Sequence, residues 1–152
     1  MSIYLPRAAA ERPVRVPARR VGQRSDTSTL LVVEDEDLVR ALVRRTLQRE
    51  GYHVLDAPNA HFALEIVQQC GAEIDLLLTD VVMPGLSGRE LATQLERDFP
   101  LMAIVLMSGY VGEFQAIVSP NGTRRHFLHK PFTLGELKAT VQHALDERAV
   151  AL

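Results

Sequence analysis

The stretch "LLLTDVVMPGLSG", residues 76 to 88, drives an apolar run into a carboxylate, Asp80, and then breaks at Met83-Pro84-Gly85. An apolar run without polar alternation suits a strand covered on both faces, as in a parallel sheet. Proline and glycine directly after it turn the chain away. Asp80 therefore falls at the carboxyl end of a buried strand, where an isolated charge is costly unless something neutralises it.

Outward from this point, short apolar runs alternate with stretches of helical period, as expected of successive strand–helix units. "TLLVV" (29–33) is a first buried strand, and "DLVRALVRRTLQRE" (37–50) a helix with Leu38, Ala41, Leu42 and Leu47 as its apolar stripe and Gly51 as its stop. "YHVLDA" (52–57) partly alternates and suits an edge strand. Residues 59–70 form a second helix capped by Asn59, with Phe62, Ile66 and Cys70 turned inward. The third strand is "DLLLT" (75–79), followed by a helix over 88–97 that buries Leu91 and Leu95. "AIVLM" (103–107) is the fourth strand, "GEFQAIV" (112–118) a short helix halted by "SPNG", and "HFLH" (126–129) the fifth strand. "LGELKATVQHALDER" (134–148) closes the pattern with Leu137, Val141, Ala144 and Leu145 inward. Five such units with right-handed crossovers favour a doubly wound α/β sheet, whose ligand crevice lies outside the carboxyl ends of its strands.

Composition agrees with one domain and a tail. The 152 residues are 47% hydrophobic and 24% charged, with a formal net charge of −2. Residues 1–26 hold Arg7, Arg12, Arg15, Arg19, Arg20 and Arg24 against Glu11 and Asp26, so that segment is +4 and the remainder −6. With Pro6, Pro13 and Pro17 and no apolar period, it reads as a disordered, solvated basic tail. Residues 27–148 read as the folded domain and 149–152 as a second, short tail. A basic tail is able to touch nucleic acid, but a solvated linker explains it as well, and no nucleic-acid role is expected. No secretory leader and no run of about 18 apolar residues is present, so neither export nor a membrane span is expected. One cysteine, Cys70, excludes an internal disulfide and fits a cytoplasmic setting.

The unusual residues then fall into a pattern. The first strand runs into Glu34-Asp35, the third into Asp80, the fourth into Ser108 and the fifth into Lys130. In a parallel sheet all these ends share one edge. Three carboxylates held about 5 Å apart repel by roughly 3 kcal/mol per pair at an effective dielectric of 20. A small hard dication such as Mg²⁺ neutralises such a cluster while keeping sites for water and phosphate oxygens. Like charges also raise the pKa of at least one member. The chemistry permitted is transfer of a phosphoryl group to Asp80, since such transfer asks chiefly for alignment and charge stabilisation, and aspartate is able to act as the covalent acceptor. Ser108 and Lys130 stand where the added phosphate would need partners.

Four motifs in this order, "LLVVEDE", "LLLTDVVMPGLSG", "VLMSGY" and "FLHKPF", resemble the receiver domain of bacterial two-component response regulators over residues 28 to 148. The resemblance implies a flavodoxin-like five-stranded parallel sheet in the order 2-1-3-4-5. It also implies that Glu34, Asp35, Asp80 and the backbone carbonyl of Val82 hold Mg²⁺, and that Asp80 accepts phosphate from a histidine kinase or phosphotransfer protein. Ser108 would hydrogen-bond the phosphate, Lys130 would pair with it, and Phe127 would switch rotamer. A cis Lys130–Pro131 bond, a downstream protein target, and homodimerisation on phosphorylation belong to the same set of expectations. Departures from the family pattern are Glu34 where aspartate is common, Ser108 where threonine is common, and a short, broken fourth helix that puts the usual partner face there in doubt. Val82 and Tyr110 occupy positions that tune phosphate lifetime in the family.

The expected role is signalling rather than catalysis. With no output domain after residue 148, the chain reads as a free single-domain regulator or as a receiver separated from a hybrid kinase. An aspartyl-nucleophile phosphatase is the enzymatic rival, weakened because Val82 rather than an acid stands two residues after Asp80. The five histidines, His53, His61, His126, His129 and His143, show no metal-ligand spacing along the sequence.

Overall fold

The computed structural model describes residues 27–109 and 125–151, with side chains to residue 148. The basic tail, the helix expected over 112–118 and Tyr110 lie outside the described residues. Within them the chain forms β1 (Thr29–Val33), α1 (Asp37–Arg49), β2 (His53–Ala57), α2 (Ala60–Cys70), β3 (Leu76–Asp80), α3 (Gly88–Asp98), β4 (Ala103–Ser108), β5 (His126–His129) and α4 (Leu134–Ala151). The five strands lie in the order β2-β1-β3-β4-β5, and every pairing is parallel. This is the doubly wound, flavodoxin-like order expected from the sequence, with β2 on an edge.

Strand alternation divides the core between the two faces of the sheet. Leu31, Val33, Leu77, Ile104 and Leu106 pack with Ala63 and Val67 of α2 and Leu91 and Leu95 of α3. Leu30, Val32, Leu76, Leu78, Val105 and Met107 pack on the other face with Val43 and Leu47 of α1 and Leu137, Val141 and Ala144 of α4. Because β1, β3 and β4 are covered on both sides, all their residues are buried, which explains their unbroken apolar runs. Met83, Met102 and Met107 are packing residues, as their sequence context suggests.

The helices are held by local chemistry at their ends. Asn59 caps α2 by accepting from the Phe62 N–H. Ser87 and Glu90 form a reciprocal capping box on α3, and Thr133 and Glu136 do the same at the start of α4. After α1, Gly51 adopts φ of 97°, and the N–H groups of Gly51 and Tyr52 return to the carbonyls of Gln48 and Leu47. That closure needs a left-handed residue, which glycine supplies without a Cβ penalty.

Two apolar stripes differ from the sequence expectation. In α1, Leu38 is 85% exposed and Leu42 51% exposed, while Val39, Val43, Thr46 and Leu47 face the sheet. Both stripes have helical spacing; the one chosen by the fold admits Thr46 because its hydroxyl bonds the Leu42 carbonyl at 2.8 Å. In α2, Phe62 is half exposed and the smaller Ala60, Ala63 and Val67 are buried, with Ile66 and Cys70 at the margin. Boundaries shift slightly: β3 includes Asp80 itself, and α4 continues to Ala151. Among the described residues, no helix is long and apolar enough to cross a membrane.

Candidate functional site: an acidic pocket bridged by lysine

Register places the site. Asp80 on β3 is level with Met107 on β4, and Ser108 on β4 is level with His129 on β5, so Lys130 follows directly. Backbone hydrogen bonds continue past the strands, from Val81 N–H to the Met107 carbonyl and from Lys130 N–H to the Ser108 carbonyl. Glu34 continues β1 in the same way, its N–H bonding the Ala57 carbonyl. The carboxyl ends of four strands are thereby fixed before any side chain is considered.

The side chains then converge. One carboxylate oxygen from each of Glu34, Asp35 and Asp80 lies within 4.8 Å of the others. Glu34 and Asp80 are buried and Asp35 is exposed. Lys130 Nζ donates to Glu34 Oε1 at 2.8 Å and to Asp80 Oδ2 at 3.2 Å, bridging two acids rather than one. The second oxygen of Glu34 accepts from the Glu36 N–H at 3.1 Å. Ser108 is buried at the next strand end, and Phe127 lies half-buried on β5 against the α2/α3 side of the core. Val82, in the loop after β3, is 54% exposed. The Lys130–Pro131 bond is cis, as expected.

The electrostatics follow from burial first. Removal from water pushes the Glu34 carboxyl above its ordinary range, the Lys130 hydrogen bond opposes this, and the neighbouring Asp80 charge adds a smaller upward push. Like charge from Asp80 raises the acid as expected, but burial is the larger cause. For Lys130, burial works against the ammonium, but the hydrogen bond to Glu34 and the charge of Asp80 prevail and hold it above its ordinary value. The ammonium therefore stays charged between the two acids.

Two supporting features escaped the sequence reading. Gly88, the first residue of α3, bonds its N–H to the Val81 carbonyl, and a Cβ there would overlap the Asp80 carbonyl oxygen. Helix α3 thus starts against the backbone of the central aspartate, which only glycine allows. Arg40 of α1 donates to the Glu34 carbonyl at 2.8 Å and pairs with Asp56 at 3.2 Å, where Arg44 joins it at 3.3 Å. The arginine face of α1 is therefore partly engaged at β2 rather than fully solvated. Asp35 does not cap α1; Glu36 holds the cap position without a side-chain bond.

The model of the response regulator receiver domain matches residues 30–142. The chain belongs to this family. Among relatives, the sensor kinase CckA of Brucella abortus is 37% identical over 154 aligned positions, covering 96% of this chain and 16% of the kinase. The receiver domain of the hybrid histidine kinase CckA superposes with a TM-score of 0.67 at 34% identity, covering 78% of this chain and 99% of that domain. A receiver domain protein from Clostridium thermocellum gives a TM-score of 0.74 at 26% identity, covering 82% and 99% of the two chains. The present chain thus spans a small part of the kinase and nearly all of the isolated receivers. Receiver domains are typically signalling modules of two-component systems. They generally bind Mg²⁺ at an acidic pocket and interact with histidine kinases or phosphotransfer proteins.

Proposed function

We propose that Asp80 is the phosphoacceptor of this receiver, and that Glu34, Asp35, Asp80 and the Val82 carbonyl hold Mg²⁺ beside it. The observation that carries this reading is the bridging of Glu34 and Asp80 by Lys130 within a cluster of three carboxylates. The donor set fits the ion: hard carboxylate oxygens, two of the three buried, with the exposed Asp35 side open to water. When bound, Mg²⁺ neutralises charge on the phosphoryl oxygens and aligns them.

The remaining work belongs to the chain. Asp80 attacks phosphorus of a phosphohistidine; the new Oδ–P bond forms as the P–N bond breaks, and its electron pair returns to the imidazole of the donor. Lys130, already in contact with Asp80, passes from carboxylate to phosphoryl oxygen as negative charge builds there. Ser108 offers a hydroxyl from the neighbouring strand end, and Phe127 on β5 carries the change toward the surface. Phosphorylation adds close to two negative charges to the rim, which alters the surface presented to a downstream protein or to a second copy.

The partner is a histidine kinase or a phosphotransfer protein. Membership in a hybrid kinase or phosphorelay is favoured by one observation. The match to the Brucella kinase leaves about six of the 152 residues uncovered, so it must enter the basic stretch before residue 27 as well as the folded domain. In this reading residues 1–26 are a linker, residues 27–148 the receiver, and the site of action is the cytoplasm.

The test is exposure of the full chain to acetyl phosphate with Mg²⁺, read by intact-protein mass spectrometry. Wild type should gain one acid-stable, hydroxylamine-labile phosphoryl group, and Asp80→Asn none. No gain on wild type, or an equal gain on the variant, refutes the assignment.

A further inference from the structure

The fold gathers a second group of ligating side chains that the sequence spacing conceals. His126 opens β5, and His143 and Glu147 lie one turn apart on α4, which crosses the same edge of the sheet. His126 Nε2 lies 3.1 Å from Glu147 Oε1, and His143 Nε2 lies 3.0 Å from Glu147 Oε2. The two imidazoles meet edge to face with ring centres 5.2 Å apart. One ligand atom from each of the three residues lies within 4.8 Å of the other two.

We propose that His126, His143 and Glu147 form a binding site for a divalent transition ion, Zn²⁺ foremost, that staples β5 to α4. The chemistry selects the ion. Two imidazoles and one carboxylate are a recurrent zinc set with a fourth position left for water, whereas Mg²⁺ prefers oxygen donors throughout. Tetrahedral zinc with bonds of 2.0–2.1 Å sets its ligands about 3.4 Å apart, so the side chains need only small adjustments from their present spacing. Both Nε2 atoms already lie within 3.1 Å of the same carboxylate, one against each of its oxygens. Backbone placement is rigid on both sides: His126 is in register with Val105 of β4, and Val141 and Ala144 of α4 are buried beside the other two ligands. His126 is 10% exposed in its side chain and His143 62%, so the site has one inner and one outer imidazole and is open to solvent. The exposed pair His61 and Glu65 on α2 has the same one-turn spacing but lacks a third ligand among the described residues, and it serves as an internal control.

The experiment is titration of the full chain with ZnCl₂ by calorimetry in millimolar Mg²⁺, which holds the acidic pocket in competition, followed by Co²⁺ absorption spectroscopy. The expected result is one Zn²⁺ per chain with micromolar or tighter affinity and intense tetrahedral Co²⁺ bands. His143→Ala and Glu147→Gln should each weaken binding at least tenfold, and His61→Ala should leave it unchanged. Because His143 is exposed, its substitution leaves the core intact, and circular dichroism verifies this. Absence of a micromolar site, or zinc affinity that His143→Ala does not alter, overturns the proposal and leaves a carboxylate lying between two imidazoles.

Discussion

Replacing Lys130 by methionine strips the ammonium from Glu34, which is 1% exposed, and from Asp80, which is 8% exposed. The two ion pairs, at 2.8 and 3.2 Å, each carry an attraction of about 5–6 kcal/mol at an effective dielectric of 20. Much of that attraction only offsets the cost of taking the charges out of water. A firmer bound comes from the response open to the variant, in which Glu34, already raised by burial, keeps its proton. Holding a carboxyl protonated at pH 7 when it ordinarily titrates at 4.5 costs about 3.4 kcal/mol, at 1.36 kcal/mol per pH unit. Lys130→Met should therefore lose up to about 3.4 kcal/mol of stability at pH 7. The sign with pH follows from proton counting. Above pH 4.5 the folded variant retains a proton that the unfolded chain releases, so its stability falls as pH rises, until the raised folded pKa is passed. At pH 5 the same bound is only about 0.7 kcal/mol. Urea unfolding followed by circular dichroism in metal-free buffer at the two pH values measures both. A deficit of equal size at pH 5 and pH 7 would refute the argument, because it would mean lost packing rather than lost charge.

Three further substitutions or reactions probe the scaffold. Gly88→Ala gains up to about 1 kcal/mol of helix propensity but drives a methyl into the Asp80 carbonyl. Overpacking of this kind costs about 1–3 kcal/mol, so a net loss of about 1–2 kcal/mol is expected in urea, and a stabilised variant would contradict the close approach. Arg125, 3% exposed, pairs with Glu96, 1% exposed, at 2.8 Å and also donates to Thr93. Arg125→Met should cost about 3–5 kcal/mol by leaving a buried charge, and adding Glu96→Met should recover most of it in the same denaturation assay. Burial, helped by Glu73, pushes the Cys70 thiol above its ordinary 9.0. With less thiolate at pH 8, its alkylation should be slower than that of a small free thiol and should accelerate on unfolding; equal rates in the folded chain would contradict the packing of Cys70 against the core.

The strands were legible because burial on both faces leaves an unbroken apolar run bounded by turn residues, and β1 and β5 were placed to the residue. Helix faces were less legible. In α1 two stripes compete, and the choice of Val39 and Val43 over Leu38 and Leu42 depends on which face the sheet presents. In α2 the close approach of helix to sheet favours Ala60 and Ala63 over the bulkier Phe62. The acidic pocket was readable because its members all follow strands, and strand ends share an edge. The double contact of Lys130, the carbonyl contact of Arg40 and the need for Gly88 depend on distances of a few ångströms that no one-dimensional pattern encodes. His126, His143 and Glu147 were hidden for a related reason, because one ligand comes from a strand and two from a later helix.

The contact between Lys130 and Glu34 joins positions 96 residues apart. Chains are synthesised from the amino terminus, so β1 and β3 leave the ribosome well before β5. A partial chain ending short of residue 130 would carry Glu34 and Asp80 without their shared counter-ion. The acidic pocket therefore gains its counter-ion only when the last strand docks and brings Lys130 to Glu34 and Asp80.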